Sequence, residues 1–401
     1  MTALRFAIGA ALVAAWLALA WLLSGSAVPD GLELPHVDVS TVFGRALVAR
    51  TERYERLLLV IWVLQALAML GALAVWARFG GRYASESAAG PIGTGMLLGM
   101  LGLAIVWLVQ LPFSLVALWW HRRHDVSHAG YLDTVFGGWA QLGVTFVALS
   151  VALLVVMGLA RWLGSWWWIP GAAVLTGIVA LVLLVSPYAY PGLERPNDPG
   201  LVARYDRLAR EEGVSGIPLR VEKVSDTTSQ ANAFAFGLGP SRRVVLWDTL
   251  LDGRFGEREV DVVLAHELAH HSSYHLPKAI GWFALFALPG ALLLTLATRS
   301  RGGMGEPLAI PLALLVAAAW MLVTSPAQNL VSRRDEAEAD WKALSTTRDP
   351  EAARRLFRAF AATSLGDPSP PTWAYLFLET HPTLAQRVAM ADAWAARNGV
   401  R

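Results

Sequence analysis

The stretch Val260-Asp261-Val262-Val263-Leu264-Ala265-His266-Glu267-Leu268-Ala269-His270-His271-Ser272-Ser273-Tyr274 decides how the rest of the chain is to be read. On a helix, residues four apart share a face, so the imidazoles of His266 and His270 converge on one point. Glu267 is rotated by roughly 100° from His266, which suits it to a water beside that point rather than to the point itself. Two imidazoles with a neighbouring carboxylate are the parts of a zinc hydrolase: ligands for a Lewis acid, and a base for its water. An ordinary amphipathic helix in a chain with nine His would show the pattern by accident in on the order of one such chain in a hundred. A third ligand has to come from elsewhere.

Composition places this helix in an unusual setting. Of 401 residues, 55% are hydrophobic and 16% charged, with a mean hydropathy of +0.46, whereas a soluble domain is nearer ~25% charged. The net charge of +2 and the lack of a basic run with interleaved aromatics argue against a nucleic-acid partner. With no cysteine there is neither a disulfide nor a thiolate ligand, so His and carboxylates must serve. There are eighteen Trp, and several of them (Trp119, Trp120, Trp166, Trp167, Trp168) flank apolar stretches, as an interfacial aromatic belt would.

Apolar stretches long enough to span a bilayer lie near 6–23, 57–77, 95–118, 139–160, 166–187, 278–298 and 307–325. The expected fold is therefore mainly α, a polytopic membrane helical bundle of about seven spans, in contact with lipid. The first stretch follows Arg5 and precedes small residues at 24–27, as a secretory signal would, but its length favours a retained anchor. Gly95 and Gly99 form a small-xxx-small pair that would let helices approach closely.

This divides the chain into spans one to five with their loops (1–187), a polar segment (188–277), spans six and seven (278–325) and a second polar segment (326–401). Neither polar segment is large enough to be stable by itself, so the two are expected to fold together. Two spans separate them, so both emerge on the same side of the membrane. Arg45, Arg50, Arg53, Arg56, Arg122 and Arg123 fall on that side, against Arg78, Arg82, Arg161, Arg299 and Arg301 opposite; this balance favours a cytoplasmic active site.

The stretch Ser332-Arg333-Arg334-Asp335-Glu336-Ala337-Glu338-Ala339-Asp340 offers the missing ligand. Glu336 and Asp340 share a helix face while Glu338 points roughly the opposite way. Glu336 as ligand, with Asp340 accepting a hydrogen bond from a ligand histidine, is an arrangement metal sites favour.

At this point the chain resembles the type I CAAX prenyl proteases, seven-span integral-membrane metalloproteases that belong with the gluzincins. The resemblance rests on His266 to His270, on Ser332-Arg333-Arg334 with Glu336 and Asp340, on Asn232 to Gly237, on Val245 to Leu251, on His381-Pro382 with Arg387, and on Leu111-Pro112-Phe113-Ser114. It implies a gluzincin-like α+β zinc protease domain built from the two polar segments, related also to the membrane heat-shock protease branch. It implies one Zn2+ per chain on His266, His270 and Glu336, with Asp340 and Arg387 behind them and His381 stabilising the oxyanion. Glu267 would act as the base. In gluzincins an edge strand pairs with the substrate backbone, which marks Asn232 and Ala233 as candidate contacts. The substrate is expected to be a peptide or protein, membrane-associated, lipidated or misfolded. The Ala- and Arg-rich, cysteine-free composition points to a bacterial cell membrane and so to general membrane proteolysis. Ala269 replaces the family's usual Gly, and His121-Arg122-Arg123-His124-Asp125-Val126-Ser127-His128 replaces its acidic loop after the third span.

His271 and His275 read as a continuation of the same helix on its polar face. His124 and His128 are four apart but lack a carboxylate pair to complete a second metal site. Gly237-Leu238-Gly239-Pro240 is not a dinucleotide fingerprint, and no G-x-S-x-G elbow is present. From a different class, a non-catalytic transporter or receptor with a vestigial site would share the bundle, although decay should have removed at least one of His266, Glu267, His270, Glu336 and Asp340.

Overall fold

The computed structural model describes residues 2–86 and 89–400, with the side chains at 2–9, 11–12 and 84–86 outside the description. In chain order the helices and strands are α1 (Thr2–Leu23), α2 (Val39–Phe43), α3 (Arg45–Phe79), α4 (Gly90–Arg123), α5 (Tyr131–Leu163), α6 (Trp168–Ala189), β1 (Leu193–Glu194), α7 (Pro199–Glu211), β2 (Leu219–Glu222), β3 (Ala233–Phe236), β4 (Arg243–Trp247), α8 (Glu257–Ser272), α9 (His275–Ala297), α10 (Ile310–Thr347), α11 (Pro350–Ser364), α12 (Thr372–Phe377) and α13 (Leu384–Asn398).

Among the described residues six helices are long and apolar enough to cross a bilayer: α3, α4, α5, α6, α9 and α10. The expected span at 6–23 falls on α1, whose shorter stretch Val13–Leu23 is apolar. Large apolar side chains such as Leu67, Trp139, Val147, Leu181 and Val323 point outward from these helices, a surface suited to hydrocarbon rather than to water. Gly95 and Gly99 lie where α4 meets α5. A Cβ on Gly95 would fall 2.3 Å from the Met157 sulfur, and one on Gly99 would fall 2.6 Å from Leu153 Cδ1, so the two helices approach through the space these glycines leave.

Several helices outrun their apolar stretches. The first turns of α3, before residue 57, carry buried Thr51 and Tyr54, and Glu55 Oε1 accepts from the Asp367 N–H at 2.6 Å. The helix continues into the polar part of the molecule because its exit end has a partner there. In the same way α10 carries the seventh apolar stretch and then, without a break, Asp335 to Asp340.

The polar segments share one apolar core. Leu201, Tyr205 and Leu208 of α7, Val244 and Leu246 of β4, Val263, Leu264 and Leu268 of α8, Leu344 of α10, Leu356 and Phe357 of α11, and Trp394 of α13 meet in it. Leu264 is fully buried there. Leu264→Ala is expected to lower stability by about 2–5 kcal/mol, measured by denaturant unfolding in detergent micelles.

The sheet has the order β1-β2-β4-β3, with β2 and β4 parallel and the outer pairs antiparallel. The expected hairpin over 230–247 is present as β3 and β4, joined by a 3-10 turn at Gly239–Ser241. Gly237 enters that turn at φ 90°, and a Cβ there would stand 2.4 Å from the Ser241 carbonyl oxygen; no other residue type fits. β3 is an edge strand and packs on α8.

Candidate metal centre

α8 begins with Glu257 and Glu259 in its first turn, where carboxylates oppose the helix dipole, and Glu259 also accepts from the Gly256 N–H. From Val262 to Ala269 every residue of this helix is buried. A helix buried nearly all round holds its imidazoles in place by packing from every side.

Within it His266 and His270 point to the same spot, and Glu336 of α10 reaches it from the other side. His266 Nε2 lies 3.0 Å from Glu336 Oε2 and 3.2 Å from His270 Nε2, and His270 Nε2 lies 3.6 Å from Glu336 Oε1. The three donor atoms sit within 4.8 Å of one another. Two ring nitrogens that both face a carboxylate so closely require a cation or a proton between them. The donor set itself, two imidazoles and a carboxylate, is that of a catalytic site with an open fourth position. The residues present therefore fit a divalent metal.

Behind His266, Nδ1 meets Asp340 Oδ1 at 2.9 Å. Arg387 of α13 grips both oxygens of that carboxylate at 2.8 and 2.6 Å and stacks 4.3 Å over the Phe357 ring. The carboxylate fixes the proton on Nδ1 and so frees Nε2 as a donor. Asp340→Asn is expected to weaken metal retention about 10–100-fold, read by chelator competition. Arg387→Leu breaks a pair whose side chains are 11% and 4% exposed and should cost about 3–5 kcal/mol, read by unfolding of the metal-free protein.

Glu267 is buried beside this cluster, with its carboxylate facing the Ala235 N–H of β3. Burial pushes it up to about 7, a value suited to a group that takes a proton and returns it near neutral pH. Burial lowers His270 to about 3, which leaves it neutral, as a ligand must be.

His381 comes from the loop between α12 and α13, with its side chain half exposed and its Nε2 3.2 Å from Glu336 Oε2. Arg333 sets that loop: Nη1 donates to the Tyr375 and Glu379 carbonyls at 2.8 and 2.6 Å, while the guanidinium lies 4.3 Å over the Tyr375 ring. Asn232 is exposed at the start of β3; its carbonyl accepts from Trp247 N–H of β4 at 3.0 Å, so its backbone oxygen is engaged within the sheet. By antiparallel alternation from that pair, Ala233 and Ala235 turn their own N–H and C=O to the edge away from β4, where the Asn232 Oδ1 accepts from the Ala233 N–H at 2.9 Å. The structure thus brings His266, Glu267, His270, Glu336, Asp340, His381 and Arg387 together; of β3 it is Ala235 that faces Glu267, while the Ala233 N–H is engaged by the exposed Asn232 side chain.

One expectation needs correction. His271 and His275 are not polar-face residues of one continuous helix. His271 is buried, with Nε2 3.0 Å from the Arg243 carbonyl. The helix breaks at Tyr274, which has φ 58°, and α9 restarts at His275, turning that ring back onto His270. Pro277 was the legible signal, since proline belongs in a helix's first turn and, having no backbone N–H, would leave a continuous helix one bond short. The loop at 121–128 folds against the segment before β3, where His128 N–H donates to the Thr227 carbonyl at 2.8 Å, and the His124 ring stands against Trp120 with centroids 4.1 Å apart.

A buried cluster fit to hold a metal, with a buried carboxylate beside it and an edge strand against it at the end of a membrane bundle, is the arrangement of a metal-dependent hydrolase of the membrane. Residues 197–395 match the family model of Peptidase family M48. The chain is 30% identical over 280 residues to a protease HtpX homolog of Acidiphilium cryptum, covering 62% of this chain and 93% of that protein. It is 24% identical over 306 residues to the uncharacterized metalloprotease YhfN of Bacillus subtilis, covering 72% and 71%. The crystal structure of S. mikatae Ste24p matches its fold with a TM-score of 0.66 over 95% of this chain and 96% of that one, at 19% identity. The chain belongs to peptidase family M48. It is an integral, multi-pass membrane metalloendopeptidase.

Proposed function

We propose that the metal is zinc, one ion per chain, held by His266, His270 and Glu336, and that Glu267 is the general base of peptide-bond hydrolysis. When bound, the ion supplies a Lewis acid that polarises the scissile carbonyl and lowers the pKa of the attacking water. Glu267 takes the proton from that water and returns it to the departing amine. The His381 side chain, reaching the cluster from an exposed loop, donates to the oxygen on which charge develops. Asp340 and Arg387 hold His266 in the tautomer that leaves Nε2 free. The open edge of β3 at Ala233 pairs with the substrate backbone, with Asn232 beside it, and so orients the scissile bond without reading side chains.

Recognition through the backbone suits substrates defined by where they are rather than by sequence: membrane-associated proteins, lipidated or misfolded, in a bacterial cell membrane, with the active site on the cytoplasmic face. The observation that carries this reading is the convergence of His266, His270 and Glu336 within 4.8 Å beside buried Glu267. It is tested by elemental analysis of the purified chain and by cleavage of unfolded and lipidated peptides. One zinc per chain and chelator-sensitive cleavage are expected. A purified, folded chain with no stoichiometric metal, or cleavage indifferent to chelator, would sink it.

A further inference from the structure

His266 and His270 are equivalent by sequence position, yet only His266 has a carboxylate directly behind it. His270 can offer Nε2 to a cation only with its proton on Nδ1. That Nδ1 lies 2.9 Å from Nδ1 of His275, which must then accept and carry its own proton on Nε2. His275 Nε2 lies 3.2 Å from Glu338 Oε2, so the donor direction is fixed along the whole chain of contacts. Lys278 Nζ donates to the same carboxylate at 3.4 Å, and the Ala27 N–H donates to its other oxygen at 3.0 Å. His275 and Glu338 are 4% and 6% exposed, and neither has a part in the hydrolysis described above.

We propose that His275 is a positioning residue for His270, and that His275 and Glu338 form a relay fixing the metal-binding tautomer of that histidine. Asp340 with Arg387 does this for His266 in one step; Glu338 with Lys278 does it for His270 through an intervening imidazole. The αL turn at Tyr274 is what brings His275 into line. The relay also ties the centre to the segment after α1, because Lys278 Nζ holds the Gly25 carbonyl at 3.0 Å and Arg334 holds that of Ser24 at 2.8 Å.

His275, Asp335 and Glu338 also have ligand atoms within 4.8 Å of one another. A second ion there would have to displace the Lys278 ammonium from Glu338, and Asp335 stands 4.0 Å from His275 Nε2. The relay satisfies His275, Glu338 and Lys278 without that displacement.

The inference rests on the ligand set proposed above, and the experiment separates the two. Zinc affinity is measured on the full chain in detergent micelles by chelator competition, and the visible absorption of the Co2+-loaded protein is recorded. His275→Leu should weaken zinc binding about 10–100-fold and change the Co2+ spectrum. His275→Gln, whose amide oxygen can accept from His270, should recover most of the affinity. Asp335→Asn should leave it unchanged. Should His275→Leu not fold, Glu338→Gln gives the same reading, with a loss of about tenfold. A folded His275→Leu that binds zinc as tightly as the parent, with the same Co2+ spectrum, overturns the relay alone. So does a second equivalent of zinc that His275→Leu removes. A parent chain that binds no zinc overturns the ligand set and the relay together.

Discussion

Glu267→Gln is expected to lower the rate of peptide cleavage by about 10²–10⁴-fold, the usual contribution of a positioned general base, while the chain keeps its metal. The substitution preserves volume in a helix that is buried on nearly every side, so packing gives no reason for unfolding. An amide cannot take a proton from water, while its carbonyl oxygen can still face the Ala235 N–H as the carboxylate does. The two readouts have to diverge: turnover is lost and metal content is not. If turnover falls because metal is lost, Glu267 is a structural group. If turnover persists, another base does the chemistry.

Glu336→Gln should have the reverse pattern and the larger effect on binding. The carboxylate is the one anionic group among the three convergent donors, and His266, His270 and His381 all approach it. Replacing it leaves two neutral imidazoles and a weak amide oxygen to hold a dication. Loss of a direct ligand should exceed the roughly 10–100-fold that outer partners command, so the purified variant is expected to emerge without stoichiometric metal and without activity. Chelator treatment of the parent chain should reproduce the phenotype, and added zinc should restore the parent but not the variant. Restoration of the variant at low zinc would reject Glu336 as a ligand.

Much of this arrangement was legible because the relevant patterns are local. The i, i+4 spacing of His266 and His270 and of Glu336 and Asp340 is a property of a single helix, and apolar runs of 18 or more residues announce spans wherever they occur. The hairpin was legible from alternation around Gly237. Other features were hidden because they are made by pairs of distant elements. Glu338 was read as pointing away from the metal face of α10, which it does; what sequence could not say is that His275 would be waiting there. The roles of Arg333 in holding the His381 loop and of Glu55 in docking α3 depend on partners 46 and 312 residues away. No periodicity carries that information.

The sequence by itself determined the chemistry available: which side chains could bind a cation, which could move a proton, and which stretches had to lie in lipid. It could do so because helix geometry fixes relations over a few residues and the bilayer fixes a length. Only the tertiary structure decided that α8 and α10 lie side by side with Glu336 facing both imidazoles, and that the chain reverses at Tyr274 to back His270 with His275. Those relations are set by a core shared between segments far apart in the chain, where the choice among packings is made by burial and hydrogen-bond satisfaction over the whole domain.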